Sequence, residues 1–191
     1  MSLADIVPSP VPLGPGVLVL VVGPSGSGKD TLLNYARGRL AGRGGIVFAR
    51  RRITRPVDGT EDHEPLAVAA FEAGVAAGRF PLAWRANGLG YALGPEVAEA
   101  ITAGRCVVAN GSRAAVAEAR GRFAHVKVVH VSAPAELRAL RLAARGREAG
   151  EQVAQRLTRQ PVLDEAPDLS IVNDGAVEQA GARLVAYLEG V

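Results

Sequence analysis

Apolar and polar positions along this chain alternate between two patterns. Residues 17–22 (VLVLVV) form an unbroken β-branched and leucine run, the pattern of a strand covered on both faces, as in a parallel sheet. Further apolar-rich runs lie at 46–49, 106–109, 126–131 and 169–172. Between them the apolar positions fall at helical spacing, which predicts helices over 29–41, 66–77, 96–103, 114–122, 134–144, 151–159 and 177–188. Residues 50–65 are polar and turn-rich, and read as a loop. The stretch 81–91 breaks the alternation: Asn87-Gly88 is a strong type I′ turn signal, so a hairpin with Tyr91 on its return strand is expected. Strands alternating with helices predict a three-layer α/β fold around a parallel sheet, and the hairpin predicts a separate small lobe.

Composition narrows the class. The chain has 191 residues, 48% of them hydrophobic but only 4% aromatic, so one domain with a core of Ala, Val and Leu is expected. No run approaches the roughly 20 apolar residues of a membrane span. Residues 1–16, broken by prolines and without a basic start, read as a loose tail rather than a signal peptide. The single cysteine, Cys106, excludes an internal disulfide and lies in an apolar run, so it reads as a buried small hydrophobe. No Cys/His cluster has zinc spacing, and a reducing cytoplasm is the simplest compartment. The net charge is +3, and no basic stretch is interleaved with aromatics, which argues against a nucleic-acid partner. Trp84, His125 and His130 read first as packing residues. Monomer and homodimer are both open.

The first apolar strand runs into Gly23, Pro24, Ser25, Gly26, Ser27, Gly28 and Lys29, then a helix start with Asp30 and Thr31. Strand, glycine loop and helix are the context of a phosphate-binding loop, whose successive N–H groups and helix dipole hold phosphates. Lys29 would reach the β- and γ-phosphates of ATP. The usual loop ends in Lys-Ser/Thr; here Asp30 takes the hydroxyl's place. Thr31 cannot substitute, because one helical step turns a side chain by about 100°. Asp30 is therefore a candidate Mg²⁺ ligand, direct or through water, a group that orients the acceptor, or an acid favoured by the helix dipole.

Residues 137–156 are arginine-rich. Arg138, Arg141 and Arg145 share a helix face, and Arg147, Arg156 and Arg159 follow a glycine-flanked break. Downstream of a phosphate loop, such a segment suits a lid that brings positive charge to a transferred phosphoryl group.

These motifs together resemble the guanylate kinase family over nearly the whole chain after residue 16. GPSGSGK matches its loop, ITR at 53–55 its phosphate-binding arginine motif, and Glu61 the acidic residue that follows. The pattern of lid arginines falls on Arg141, Arg145 and Arg156. The resemblance implies a P-loop NTPase fold with a core at 17–50 and 95–191, a substrate lobe at about 51–94 and a helical lid at about 141–160, all within one domain, 17–191. The guanine-reading positions depart from that family. Ala83 precedes Trp84 where an acid is expected, Leu93 falls near a serine position, and Asp58 replaces a second arginine. Asn110-Gly111-Ser112 replaces an acidic pair.

A closer resemblance is to the ribose 1,5-bisphosphate kinases of bacterial phosphonate breakdown, carried by GPSGSGKD, RxITR, W-x-A-N-G-L-x-Y and NGSR at 110–113. It implies ATP-dependent phosphorylation of ribose 1,5-bisphosphate to 5-phosphoribosyl 1-diphosphate, with Mg²⁺. The acceptor would be held by Arg52, Arg55, Glu61, Asn87, Tyr91, Asn110, Ser112 and Arg113, and Lys29, Asp30 and the lid arginines would serve the transfer. A nucleoside monophosphate kinase and a non-catalytic binding module remain the other readings.

Overall fold

A computed structural model describes residues 11–57, 62–144 and 165–191. The helix expected at 151–159, and most of the expected lid, lie outside the described residues.

The buried run Val17–Val22 is the first strand, β1. Its side chains divide by the two-residue period of a strand. Leu18, Leu20 and Val22 enter one hydrophobic cluster, and Val19 and Val21 enter another on the opposite face. Full burial of each stabilises the fold by about 1.5–3 kcal/mol, so this strand commits the sheet to cover on both sides. The second cluster is covered by α1 (Lys29–Arg39) and by the closing helix Val177–Glu189, through Leu32, Leu33, Ala36, Leu184 and Leu188.

The remaining elements in chain order are β2 (Ile46–Phe48), β3 (Arg51–Ile53), β4 (His63–Pro65), α2 (Val68–Ala76), β5 (Leu82–Ala86), β6 (Leu89–Leu93) and α3 (Pro95–Thr102). They are followed by β7 (Cys106–Asn110), a 3₁₀ turn at Arg113–Ala115, α4 (Val116–Arg122), β8 (Val126–Ser132), α5 (Ala135–Ala144), β9 (Leu169–Val172) and α6, the closing helix. The first cluster is covered by α3 and α4 through Val97, Ile101, Val116 and Ala119.

The main sheet has the order β2-β7-β1-β8-β9 and every pairing is parallel. All its carboxyl ends therefore face one side, where ligands of open α/β sheets bind. A second sheet, β4-β3-β6-β5, carries the hairpin. Asn87 and Gly88 both have positive φ, 51° and 74°, as a type I′ turn requires.

One expectation changes. Residues 50–65, expected as a loop, contain β3 and β4: β3 pairs antiparallel with β6, and β4 parallel with β3. Three-residue strands rich in charge show no periodicity, and their partners lie far along the chain. The inner face of the small sheet shares its core with the main sheet. Ile53, Leu82, Trp84, Tyr91 and Leu93 join the same cluster as Leu18 and Leu20. The outer face of the small sheet has its own cluster, in which Phe71 of α2 packs with Phe80 and Ala92.

Cys106 is half-buried, and burial pushes its thiol up to about 11. Among the described residues no helix is long and apolar enough to cross a membrane.

Candidate active site

The loop between β1 and α1 turns on glycines in the left-handed region: Gly26 has φ 80° and Gly28 φ 88°. Gly28 also needs the absence of a side chain, because a Cβ there would strike Asn173 Nδ2. That amide, nearly wholly buried just beyond β9, donates to the Ser27 carbonyl at 2.8 Å. Arg141 Nη1 donates to the carbonyls of Gly26 at 3.4 Å and Asn173 at 3.2 Å. One turn earlier on α5, Arg138 Nε donates to the Ser25 carbonyl at 3.1 Å. Three residues from later in the chain thus hold the loop's carbonyls, while the Ser27 N–H turns back on the Pro24 carbonyl at 3.3 Å. Lys29 Nζ folds over the loop and donates to Gly23 and Pro24 carbonyls at 2.9 and 3.1 Å.

Asp30 opens α1 and faces the carboxyl end of β7. Asn110 Nδ2 donates to its Oδ1 at 2.6 Å, and Arg51 Nη2 stands 3.6 Å from the same oxygen. The Arg51 guanidinium lies 5.5 Å from the centroid of Tyr91, which stacks on Trp84 at 5.5 Å and 5°. This stack walls a cleft that also exposes Arg55, Asn87 and Ser112 opposite the loop. Asp30 is the cleft's lone carboxylate among the described residues.

The pleat of the small sheet decides which side chains reach this cleft. Register pairs Arg51 with Leu93, Ile53 with Tyr91 and Trp84 with Tyr91, so these share the inner face. Arg52 pairs with Ala92, and Ala83 with Ala92, on the outer face. Arg52 accordingly turns away and bonds Glu64 at 3.2 Å and Glu96 at 3.3 Å.

The structure thus brings together Lys29, Asp30, Arg55, Asn87, Tyr91, Asn110 and Ser112. Arg113 lines an adjoining cavity with Pro24, Ser25 and the hairpin turn. Thr31 is exposed, as its helical phase predicts. Glu61, Arg145 and Arg156 lie outside the described residues.

Arg51 and Asn173 were missed by sequence reasoning. The first arginine of RxITR becomes an inner-face residue once β3 is recognised as a strand. An asparagine directly after the last strand also sits at a carboxyl end of the sheet, which was a usable signal for Asn173.

Positive charge dominates the loop's flank. Burial lowers the Arg113 pKa, and the Arg138 charge lowers it further. Burial, then Arg113 and Lys29, lower that of His130 on β8, which favours its neutral form. No described group of three or more His, Cys, Asp or Glu could hold a metal by protein ligands alone. One carboxylate beside a phosphate loop does suit Mg²⁺, which keeps waters and takes phosphate oxygens alongside one or two carboxylates. Asn110 Oδ1, buried and without a hydrogen-bond partner among the described residues, is a second hard oxygen next to Asp30.

No family model matches the chain. Among curated proteins it is 52% identical over 174 residues to the ribose 1,5-bisphosphate phosphokinase PhnN of Methylobacterium radiotolerans, an overlap of 91% of this chain and 98% of that one. It is 48% identical over 184 residues to the protein of the same name from Chelativorans sp., covering 94% and 88% of the two chains. Among solved structures, guanylate kinase from Anaplasma phagocytophilum superposes with a TM-score of 0.68 at 17% identity, over 92% of this chain and 85% of that one, a likeness of fold.

Proposed function

The chain belongs to the ribose 1,5-bisphosphate phosphokinase family, and on that premise we propose that its cleft transfers the γ-phosphoryl group of ATP to the 1-phosphate of ribose 1,5-bisphosphate. The products are ADP and 5-phosphoribosyl 1-diphosphate. The observation that carries this reading at the residue level is the cleft's charge among the described residues: Arg51, Arg55 and Lys29 against one carboxylate, Asp30, already engaged by Asn110 and Arg51. An acceptor with two phosphates and no base suits such a lining. A guanine would need acceptors for its N–H groups, and the cleft-facing positions of β5, Trp84 and Ala86, supply none.

The loop's N–H groups and Lys29 hold the nucleotide phosphates. Lys29 exchanges its loop carbonyls for phosphate oxygens, a switch within reach of its flexible stem. Asp30, with Asn110 Oδ1 beside it, would hold Mg²⁺ directly or through water. The ion's contribution when bound is to neutralise the β- and γ-phosphate charge.

Arg55 and Arg113 hold acceptor phosphates as forks, and the Tyr91 hydroxyl donates to one of them. Asn87 and Ser112 hydrogen-bond the sugar. The attacking phosphate oxygen is already ionised, so the site needs no general base, and catalysis is positioning and charge stabilisation. Arg145 and Arg156, by family resemblance, add charge to the transferred group.

The test is phosphorus NMR of purified protein with ATP, Mg²⁺ and either ribose 1,5-bisphosphate or GMP. Formation of a diphosphate from the sugar and not from GMP is expected. Turnover of GMP alone overturns the reading, and turnover of neither points to a binding module.

A further inference from the structure

The buried polar residues Ser27, Asn110, Arg138 and Asn173 lie in the phosphate loop, bond its carbonyls or bond Asp30. His63, which opens β4, is buried with 0% of its surface exposed and has no place in that set. Burying an imidazole costs folding energy unless its nitrogens are used. Its Nε2 stands 3.1 Å from the Arg55 carbonyl. A carbonyl oxygen only accepts, so Nε2 carries the proton and donates. The partner is the backbone of a residue whose side chain lines the cleft beside Lys29.

Strand pairing does not supply this contact. β4 runs parallel to β3 and sets His63 against Arg51, and an extended chain would carry Arg55 about 13 Å beyond Arg51. Instead β3 stops at Ile53, and the Arg55 N–H turns back on the Ile53 carbonyl at 2.8 Å. Pro56 follows, with no N–H to continue a ladder. Thr54 is held to β6 twice: its N–H donates to the Gly90 carbonyl at 3.0 Å, and its Oγ1 accepts from the Gly90 N–H at 2.8 Å. His63 fastens the carbonyl that comes next. His63 is itself anchored, because its own carbonyl accepts from Arg50 Nη2 at 3.2 Å while Arg50 Nε pairs with the adjacent Asp62 at 2.8 Å. The backbone from which Arg55 enters the cleft is thus fixed on both sides.

We propose that His63 is a positioning residue for phosphoryl transfer: its hydrogen bond to the Arg55 carbonyl sets the place from which the Arg55 guanidinium grips a phosphate of the acceptor. This rests on the reading of the acceptor as a sugar phosphate. An arginine fork binds phosphate through two parallel hydrogen bonds, so its grip depends on angle as well as on charge. A misplacement of about 1 Å can cost about 100-fold in rate. Without His63 the Arg55 charge stays in the cleft, but the fork no longer holds one bearing. Fully buried, His63 touches no substrate and acts through Arg55.

The test is a double-mutant cycle. Steady-state turnover of ATP and ribose 1,5-bisphosphate, with a thermal melt, is recorded for wild type, His63→Leu, Arg55→Met and the two changes together. His63→Leu is expected to lower kcat/KM for the sugar bisphosphate at least about tenfold, with the KM for ATP held within about threefold. In the Arg55→Met background the same change is expected to cost less than about twofold. His63→Gln, whose amide N–H can reach the same carbonyl, is expected to recover kcat/KM to within about threefold of wild type. Equal losses in the two backgrounds, or a wild-type kcat/KM in His63→Leu, overturn the proposal. A lower melting temperature with the KM values for ATP and acceptor rising together makes His63 a structural prop and overturns it equally. If His63→Leu does not fold, His63→Gln is set against His63→Asn, whose shorter side chain falls short of the carbonyl, and the same cycle with Arg55→Met decides. Wild type that does not phosphorylate ribose 1,5-bisphosphate defeats the substrate reading by itself, and the cycle is then read on the calorimetric affinity of the ADP-saturated protein for inorganic phosphate.

Discussion

The Asn110 side-chain amide donates to Asp30 across 2.6 Å, joining the end of β7 to the first turn of α1. The hydroxyl usual at this place in a phosphate loop is replaced by a carboxylate, and Asn110 at the end of β7 offers an amide where the resemblance implies an acid. The two changes are complementary: an acid at both positions would set two negative charges in contact, whereas acid and amide make a charge-assisted hydrogen bond.

Asp30→Ala removes the candidate metal ligand and leaves Asn110 and Arg51 without their shared acceptor. Turnover is expected to fall by about 10- to 100-fold, with a raised Mg²⁺ concentration at half-maximal rate. Steady-state rates over a Mg²⁺ titration check this, and an unchanged Mg²⁺ dependence reduces Asp30 to a helix-start residue.

Neighbouring arginines on β3 should behave oppositely. Arg51→Ala is expected to lower kcat/KM for the sugar bisphosphate by about 100-fold, or about 2.7 kcal/mol of transition-state stabilisation. Arg52→Ala removes only ion pairs to the exposed Glu64 and Glu96, so kcat/KM stays within about threefold and stability within about 1 kcal/mol. Equal losses from the two variants would mean that the pleat does not decide which arginine serves the cleft.

Gly28→Ala combines a positive φ with a Cβ aimed at Asn173. It should destabilise by more than about 1 kcal/mol and abolish detectable ATP binding. Asn173→Ala removes one donor to the Ser27 carbonyl and should cost about 1–3 kcal/mol while weakening ATP binding less severely. Chemical denaturation and calorimetry rank the two, and a Gly28→Ala protein with wild-type ATP affinity contradicts the loop's geometry.

Asp168 predicts a pH signature away from the cleft. Burial pushes its carboxyl up, but the Val128 N–H at 2.8 Å and Lys127 at 2.9 Å win and hold it below the ordinary value of 3.8. A lowered folded-state pKa stabilises above the unfolded value and is lost as pH falls through the folded one. Asp168→Asn should therefore be less stable than wild type at neutral pH, with the gap constant down to about pH 5 and closing below about pH 4. Urea melts across that range measure it; a gap that widens on acidification refutes the assignment.

Legibility in the sequence followed locality. The run Val17–Val22, the glycines and Lys29 lie within thirteen residues, so their period and spacing spell strand, loop and helix before any folding is considered. The Asn87-Gly88 turn is equally local, because two positive φ angles demand those residues. Arg55, Tyr91 and the NGSR stretch were reached through family resemblance, and the cleft brings Arg55, Tyr91, Asn110 and Ser112 to the loop.

The sequence by itself determined a parallel α/β core, a phosphate loop and the chemistry of a phosphotransferase, because these depend on short-range periodicity and on residue type. Tertiary structure alone decided that Arg51 rather than Arg52 enters the cleft. The reason is the register of β3 on β6, a pairing across some forty residues that no local pattern encodes. It likewise decided that Arg138, one of several arginines on an ordinary basic helix face, is buried against the loop without a counter-charge among the described residues. Which charges find partners is set by packing between distant segments, and that is where the site's particular character resides.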